Sequence, residues 1–306
     1  MAMSSSNSTS APRSSRTSSP ASSGAGCHEN ATPRGEPMNT SDTTHPGDPW
    51  AGTELPRHIV RDAAGAPVLT HALSTREGRP WADLAWRIPH VDATHCADVL
   101  LAALRGWALS TDDEALAEAL IARGARVVRH AHSYSRDLRA APAPVAWSTP
   151  ETPGGCQLTA VNRSAEALAP LLLKAYPPGH PDHSGWTPEE ARNEVARILA
   201  GELLGPLLPC SGLALEGDTV VGACLVTLRE GSPPHGGPWV IEVYRNPAPH
   251  YAGLGAALLR RALWLSTQAE LPALSLVVSD GNPARRVYER LGFQHVGSSR
   301  TLELPT

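Results

Sequence analysis

Apolar runs bounded by glycine, proline and asparagine dominate the C-terminal part of the chain. Residues 239–244 are apolar except at one position, which predicts a buried strand, and residues 274–278 predict a second strand. After each strand, apolar residues recur every three to four positions, which is the period of a helix. These positions are Leu254, Leu258, Ala262 and Leu265 in the first stripe, and Ala284, Val287, Tyr288 and Leu291 in the second. The pattern therefore predicts strand, helix, strand and helix, in this order.

Similar patterns lie upstream of this region. They predict a strand at 156–161, helices at 164–176 and 187–203, and a hairpin with strands at 211–215 and 219–229. The second helix has a marked start, because Thr187 can cap it, Pro188 fits its first position and Glu190 completes a capping box. Residues 149–306 are thus predicted to form one domain of mixed α/β class.

The first 148 residues divide into two parts. Residues 1–55 are rich in Ser, Thr, Pro and Gly, and so few large apolar side chains cannot offset chain entropy, which predicts a disordered tail. Met38 lies within this tail, so Met1 and Met38 are both candidate translation starts. Residues 56–148 are predicted to form a small α+β region. Its strands are expected at 58–60, 67–72 and 81–88, and its helices at 97–107 and 112–123.

A glycine-rich turn joins the strand 239–244 to its helix. It includes Gly253 and Gly255, which lack a Cβ, so a diphosphate can lie directly on backbone amides at the positive end of the helix dipole. A turn that serves packing alone is the alternative, since short glycine patterns are common.

The second turn leads into a helix that begins near Asn282. Tyr288 lies on the apolar stripe of this helix, whereas Arg285, Arg286 and Glu289 lie mostly off it. An inward phenol needs a hydrogen-bond partner. Tyr288 is therefore either an ordinary core tyrosine or a functional group of a site.

The order strand, glycine turn, helix, strand and helix with an inward tyrosine, closed by Gly292-Phe293, resembles the GCN5-related N-acetyltransferase (GNAT) superfamily. The resemblance implies an α/β fold with a mixed sheet, in which acetyl-coenzyme A lies between the strands 239–245 and 274–278. It implies direct transfer of an acetyl group to a primary amine in a ternary complex, without a metal. The acceptor is expected to be a small molecule or a peptide.

The resemblance also assigns roles to residues. It implies that Tyr288 protonates or positions the departing thiolate, and that a carboxylate such as Glu242 accepts the proton of the amine, unless Glu242 points to the solvated face of the sheet. The coenzyme-binding residues that it implies are Val243, Tyr244, Arg245, His250, Tyr251, Ala252, Gly253, Leu254, Gly255, Ala256, Asn282 and Arg285.

The chain departs from the family pattern at two positions. His250 stands where relatives have Gln or Arg, which makes any charge contribution there weaker or pH-dependent. Asn282 precedes Ala284 by two residues where many relatives have three, which puts the role of its side chain in doubt.

Residues 56–148 have two interpretations. If Gly124 is aligned with Gly292, Leu120 falls where Tyr288 stands, and no glycine turn precedes the helix that begins near Ala97. The region is then a degenerate, catalytically silent GNAT-like half of a tandem protein. An unrelated small α+β cap is the alternative, since a glycine between a helix and a strand is common.

Composition narrows the function classes. The net charge of −4 and the lack of a long basic run argue against a nucleic-acid partner, and no segment approaches a membrane span. Five scattered cysteines fit a reducing cytoplasm. His180, Asp182 and His183 lie in a proline- and glycine-rich stretch, 177–186, which favours a substrate-lining loop over a metal site.

The sequence thus predicts a cytoplasmic N-acetyltransferase that uses acetyl-coenzyme A. The competing hypothesis is a non-catalytic protein that keeps the fold and binds or senses acyl-coenzyme A. Tyr288 and the two glycines favour the enzyme, whereas His250 and the uncertain base favour the sensor.

Overall fold

The computed structural model describes His45, Asp48, 56–76 and 78–306. Almost all of the predicted tail, including Met38, lies outside these residues. The strands are β1 Arg57–Arg61, β2 Pro67–Arg76, β3 Arg79–Arg87, β4 Ala108–Thr111, β5 Arg126–Asp137, β6 Gln157–Thr159, β7 Gly212–Glu216, β8 Thr219–Arg229, β9 Gly237–Arg245, β10 Ala273–Ser279 and β11 Gln294–Glu303. The helices are α1 Ala93–Ala103, α2 Glu114–Ile121, α3 Ala165–Ala175, α4 Pro188–Ala200, α5 Leu254–Gln268 and α6 Arg285–Arg290.

All described strands belong to one mixed sheet, in the order β1-β2-β3-β4-β11-β5-β10-β9-β8-β7-β6. At the centre of the sheet, strands from the two halves of the chain alternate. Strand β11 lies antiparallel between β4 and β5, and β5 lies antiparallel between β11 and β10. Each half of the chain therefore inserts its last strand between the last two strands of the other half. One sheet runs across residue 148, and the boundary placed there stays a prediction.

Helices cover both faces of the C-terminal part of the sheet. Strand β8 shows why, because successive side chains of a strand point to opposite faces. Ala223 and Leu225 pack in the core formed with α3 and α4, whereas Cys224 and Val226 pack in the core formed with α5. A third core lies between the strands β2 to β4 and the helices α1 and α2.

The predicted mixed α/β fold is confirmed, and the differences lie at element ends. Helix α4 begins with the predicted capping box, in which Thr187 Oγ1 accepts from the backbone N–H of Glu190 and Glu190 Oε2 accepts from that of Thr187. It ends at Ala200 rather than at residue 203, because Gly201 adopts a left-handed conformation with φ of +78°. The strand expected at 156–161 keeps only three residues.

Two residues of the predicted tail, His45 and Asp48, are described and contact the fold. Asp48 is buried and its Oδ2 accepts hydrogen bonds from Nε of Arg57 at 2.9 Å and from Oγ1 of Thr70 at 2.6 Å. A buried arginine needs an anionic partner, and Asp48 supplies it across nine residues. Asp48 is thus an exception to the disordered tail expected for 1–55.

Four cysteines lie in the described residues, and all are buried free thiols. Among the described helices, none is both long enough and apolar enough to cross a bilayer.

Candidate active site

The candidate site is a cleft between β9 and β10. These parallel strands pair at Trp239 with Ser275 and at Val240 with Leu276, and the pairing stops there. At this point β9 has a bulge, because Ile241 has no partner on β8. Bulges bend the strand that carries them. The two strands consequently diverge and border a cleft of about 850 Å³.

The first turn of α5 opens onto this cleft. Gly253 precedes the helix with φ of +94° and offers no side-chain cap, so the first N–H groups of α5 have no acceptor within the helix. A Cβ placed on Gly253 or Gly255 would meet no atom within 4 Å, and both residues line the cleft. Open space beside such N–H groups, at the positive end of a helix dipole, suits a diphosphate.

Glu242 lines the cleft from β9. Burial raises the pKa of its carboxyl to about 7, and the nearby carboxylate of Asp182 adds to the rise. The hydroxyl of Tyr176 donates a hydrogen bond to Glu242 Oε2 at 3.1 Å, which lowers the pKa in part. A carboxyl with a pKa near neutrality can take up and release a proton at working pH, which is the property required of a general base.

Tyr288 lies on the inward side of α6 and lines the same cleft. It is 6% exposed, and its ring centroid is 6.1 Å from that of Phe293. No residue that the structure describes forms a hydrogen bond with its hydroxyl, unlike the hydroxyl of an ordinary core tyrosine. Burial raises its pKa above the usual value for a phenol, and the carboxylate of Asp182 adds to this. The hydroxyl therefore keeps its proton at neutral pH.

Tyr176 is a site residue that the sequence analysis does not identify. It caps the C-terminal end of α3, and its ring centroid lies 6.3 Å from that of Tyr244. Tyr244 also lines the cleft, and its buried hydroxyl forms no hydrogen bond with a described residue. The available signal for Tyr176 is its position, since it ends an apolar helical stripe directly before the loop 177–186.

The loop 177–186 forms part of the cleft wall and is fastened to the start of α6. Asp182 Oδ2 accepts a hydrogen bond from Asn282 Nδ2 at 2.5 Å, and Asn282 Oδ1 accepts one from the backbone N–H of Ala284 at 2.8 Å. Both polar atoms of the Asn282 side chain are thus engaged by the protein. The nearby His180 accepts from the backbone N–H of Asp182, and His183 Nδ1 lies 2.8 Å from the backbone oxygen of Tyr176.

Residues 165–293 match the model of the Acetyltransferase (GNAT) family. This segment is a GNAT domain. It contains α3 to α6 and the strands β7 to β10, and therefore the glycine turn, Glu242 and Tyr288. Among curated proteins, no relative matches the sequence.

Solved structures show the same fold. A GCN5-related N-acetyltransferase from Sphaerobacter thermophilus matches with a TM-score of 0.57 at 18% identity, over 84% of this chain and 84% of that one. Another from Kribbella flavida matches with 0.51 at 18%, over 82% and 90%. A tandem GNAT protein from the clavulanic acid biosynthesis pathway matches with 0.52 at 17%, over 81% and 82%. At such identities the likeness concerns the fold.

Several residues that the GNAT resemblance implied for the coenzyme have side chains engaged elsewhere. Tyr251 donates to Glu216 Oε2 at 2.8 Å, and the ring of His250 lies 4.0 Å from that of Tyr251. Arg285 Nε lies 3.0 Å from Glu289 Oε1, and its guanidinium lies over the ring of Tyr134. These three side chains do not line the cleft, nor do Ala252 and the fully buried Leu254. That these five residues contact the coenzyme stays a prediction.

The remaining residues predicted from the GNAT motif do converge. Val243, Tyr244, Arg245, Gly253, Gly255, Ala256 and Asn282 all line the cleft. Arg245 is held in place by the backbone, since its Nη1 donates to the carbonyl oxygen of Asn246 at 2.6 Å. Its guanidinium and that of Arg129 are the two arginine cations in the described cleft lining.

The elements β1 to β5 follow the same order as β7 to β11, and β6, α3 and α4 have no counterparts in the N-terminal half. Strands β3 and β4 pair from Trp81 with Ala108 to Ala85 with Thr111, the last residue of β4, with a register shift between Ala82 and Ala85. The first turn of α1 is capped by Asp92, whose Oδ1 accepts from the N–H of His95 at 2.9 Å. A carboxylate therefore occupies the position that a phosphate would take.

Proposed function

We propose that the protein is an N-acetyltransferase that moves an acetyl group from acetyl-coenzyme A to a primary amine. One observation carries the proposal: a single cleft is lined by the glycine turn of α5, by Glu242 and by Tyr288. The fit to the coenzyme rests on the open space at Gly253 and Gly255 and on the backbone edge of β9 beyond Val240. An extended ligand can add to such an edge as a strand does.

The turn of α5, Glu242 and Tyr288 have separate roles in the proposed acyl transfer. The coenzyme supplies the activated thioester, and the turn of α5 holds its diphosphate. Glu242 accepts a proton from the ammonium group of the acceptor, because its pKa of about 7 lets it do so near neutral pH. The neutral amine can then attack the thioester carbonyl. Burial keeps the phenol of Tyr288 protonated, and its hydroxyl donates that proton to the departing sulfur. The nitrogen gives up its second proton as the amide forms, and this proton restores the phenol.

The acceptor enters beside the loop 177–186 in this proposal. Carboxylates of Glu242 and Asp182 and the rings of Tyr176 and Trp186 line that side of the cleft. Carboxylates attract an ammonium group, and aromatic faces favour cations. A cationic small molecule or a peptide amine therefore suits this wall better than a neutral or acidic acceptor.

Residues 56–148 are proposed to be a catalytically silent GNAT-like half. The parallel between the halves supports this. Gly124 and Gly292 both adopt positive φ, and each is followed by a residue whose N–H donates to the carbonyl four residues before that glycine, Leu120 in one half and Tyr288 in the other. Leu120 cannot donate a proton. The reduced, buried cysteines fit the proposed cytoplasmic location.

Thiol release from acetyl-coenzyme A tests the function. The full chain is assayed against polyamines, aminoglycosides, amino acids and peptides with free N-termini, and acetylated products are confirmed by mass. Cationic amines are expected to release thiol at rates that depend on both substrates. Tight coenzyme binding with no turnover across the panel would favour the non-catalytic sensor, and no binding at millimolar coenzyme would remove both hypotheses.

A further inference from the structure

A cluster of histidines lies outside the cleft, where β5, β11 and the turn after β10 meet. His130 and His132 are two residues apart on β5, and side chains at this spacing share one face of a strand. Asp280 stands in the turn directly after β10, and its backbone N–H donates to the carbonyl of His130 at 2.8 Å. None of the three residues belongs to the described cleft lining.

The potential ligand atoms of these three residues lie close to one another. One imidazole nitrogen of each histidine and one carboxylate oxygen of Asp280 all lie within 4.8 Å of one another. His132 Nε2 and Asp280 Oδ1 are 3.2 Å apart. Two ligands of a tetrahedral zinc ion at about 2.0–2.1 Å are separated by about 3.3 Å. The first two ligands are therefore already spaced for zinc.

We propose that His130, His132 and Asp280 bind one Zn²⁺ ion. Two imidazole nitrogens and one carboxylate oxygen are typical zinc ligands, whereas Ca²⁺ and Mg²⁺ require sets dominated by oxygen. The side chain of Asp280 is 63% exposed, so water can reach the fourth position.

Neighbouring side chains orient the imidazole of His132 for binding zinc. Ser298 Oγ lies 2.9 Å from His132 Nδ1, and His295 Nε2 lies 3.0 Å from the same hydroxyl. When the ion replaces the proton between Nε2 and Asp280, the imidazole keeps a proton on Nδ1 and donates it to Ser298, whose hydroxyl can donate in turn to His295. Partners of this kind fix the tautomer of a zinc-bound histidine.

Arg300, a cation whose charge acts on His130, forms ion pairs with Glu114 and Glu118. This pairing reduces the repulsion that a bound divalent ion would meet.

The bound ion would join the two halves of the chain. His130 and His132 belong to β5 of the first half, and Asp280 belongs to the second. The same turn continues through Asn282 into α6, which carries Tyr288. Zinc at this point is expected to hold the turn against β5 and so to stabilise the wall of the cleft from outside.

The test is direct titration of the untagged full chain with ZnCl₂, together with metal analysis and melting curves. We expect one Zn²⁺ per chain and a melting temperature raised by about 5–10 °C at a zinc concentration 100 times the dissociation constant. His130→Asn should weaken binding at least tenfold, and Ser298→Ala should weaken it by about tenfold or more. Asp280→Asn, at an exposed side chain, serves if the histidine variant fails to fold.

The matched control is His95→Asn. His95 Nε2 lies 3.4 Å from Asp62 Oδ2 and forms a second histidine–aspartate pair, one with no third ligand in the described residues. Its variant should bind zinc as the parent does. Absence of stoichiometric binding at 0.1 mM zinc, or equal affinity in the parent and in His130→Asn, would overturn the proposal.

Discussion

Gly255 allows a test in which stability and coenzyme affinity move in opposite directions. It lies in the first turn of α5 with helical backbone, and a Cβ there meets no atom within 4 Å. Gly253 is less suitable, because its φ of +94° would strain any other residue whatever the space around it. We therefore consider Gly255→Ala and Gly255→Glu in parallel.

Both substitutions should stabilise the protein without ligand. Replacing glycine by alanine in a helix gains about 0.5–1 kcal/mol, and a carboxylate in the first turn adds about 0.3–1 kcal/mol through the helix dipole. At about 2–4 °C per kcal/mol for a chain of this size, the melting temperature should rise by about 1–4 °C for alanine and by about 2–8 °C for glutamate.

Coenzyme affinity should follow the reverse order. The methyl group of alanine takes up part of the space beside the amides, whereas the carboxylate of glutamate also repels the diphosphate. Like charges about 4 Å apart near a protein surface repel each other by up to about 4 kcal/mol, and partial exposure reduces this to about 1.4–2.7 kcal/mol, or 10- to 100-fold in the dissociation constant.

Calorimetric titration with coenzyme A and thermal melts on the same three proteins decide the matter. The expected affinity order is parent, alanine, glutamate, and the expected stability order is the opposite. If the Gly255→Glu variant binds the coenzyme as tightly as the Gly255→Ala variant does, the diphosphate does not lie on this turn, and the turn serves packing alone.

Three further predictions concern the residues around the cleft and the start of the fold. Tyr288→Phe should lower kcat by about 10- to 1000-fold with little change in melting temperature, whereas Tyr134→Phe, which removes a 3.1 Å hydrogen bond to a carboxylate, should lower the melting temperature by a few degrees and spare kcat; equal rates in the two variants would reject Tyr288 as the proton donor. Because the pKa of Glu242 is raised to about 7, the folded state holds this proton more tightly than the unfolded chain, and stability should fall as pH rises from about 4.5 to 7. Glu242→Gln should remove this loss, gain about 1–3 kcal/mol at pH 8 and abolish the rise in rate near pH 7; an unchanged pH–rate profile would exclude Glu242 as the base. Deleting residues 1–44 should leave the melting temperature unchanged, whereas Asp48→Asn should cost about 3–5 kcal/mol in urea unfolding by leaving the buried Arg57 unpaired, and a cost below 1 kcal/mol would contradict that account.

The spacing of apolar residues identified inward-facing side chains better than it identified the residues that they contact. Tyr288 was identifiable as inward-facing because its neighbours on the stripe are apolar, and the structure buries it. Motif spacing likewise predicted the turn at Gly253. The sequence did not decide to which face of the sheet Glu242 points. A bulge at Ile241 shifts the alternation of side chains along β9, and the apolar pattern does not reveal this bulge.

Contacts between distant segments were not predictable from one sequence. The hydrogen bond between Asp182 and Asn282 joins two loops, and its existence depends on how the chain closes rather than on local composition. The order of the central strands has the same origin, since the apolar pattern of a strand specifies its buried face and not its neighbour. The role of Asp48 was not predictable, because the composition of the tail averages over many residues, and Arg57, its partner, stands just before the strand predicted at 58–60.

The interleaving of β5 and β11 makes the two halves inseparable as folding units. A chain cut near residue 148 would leave a strand-wide gap between β10 and β11, with backbone groups on both sides unpaired, and such edges promote aggregation. Folding of the sheet must also wait until both halves have been synthesised, because β11 of the second half lies between β4 and β5 of the first. If one half of such a protein lost its catalytic role, it could still not be deleted, because the other half needs its strands. The interleaved sheet would therefore preserve residues 56–148 without any catalytic role.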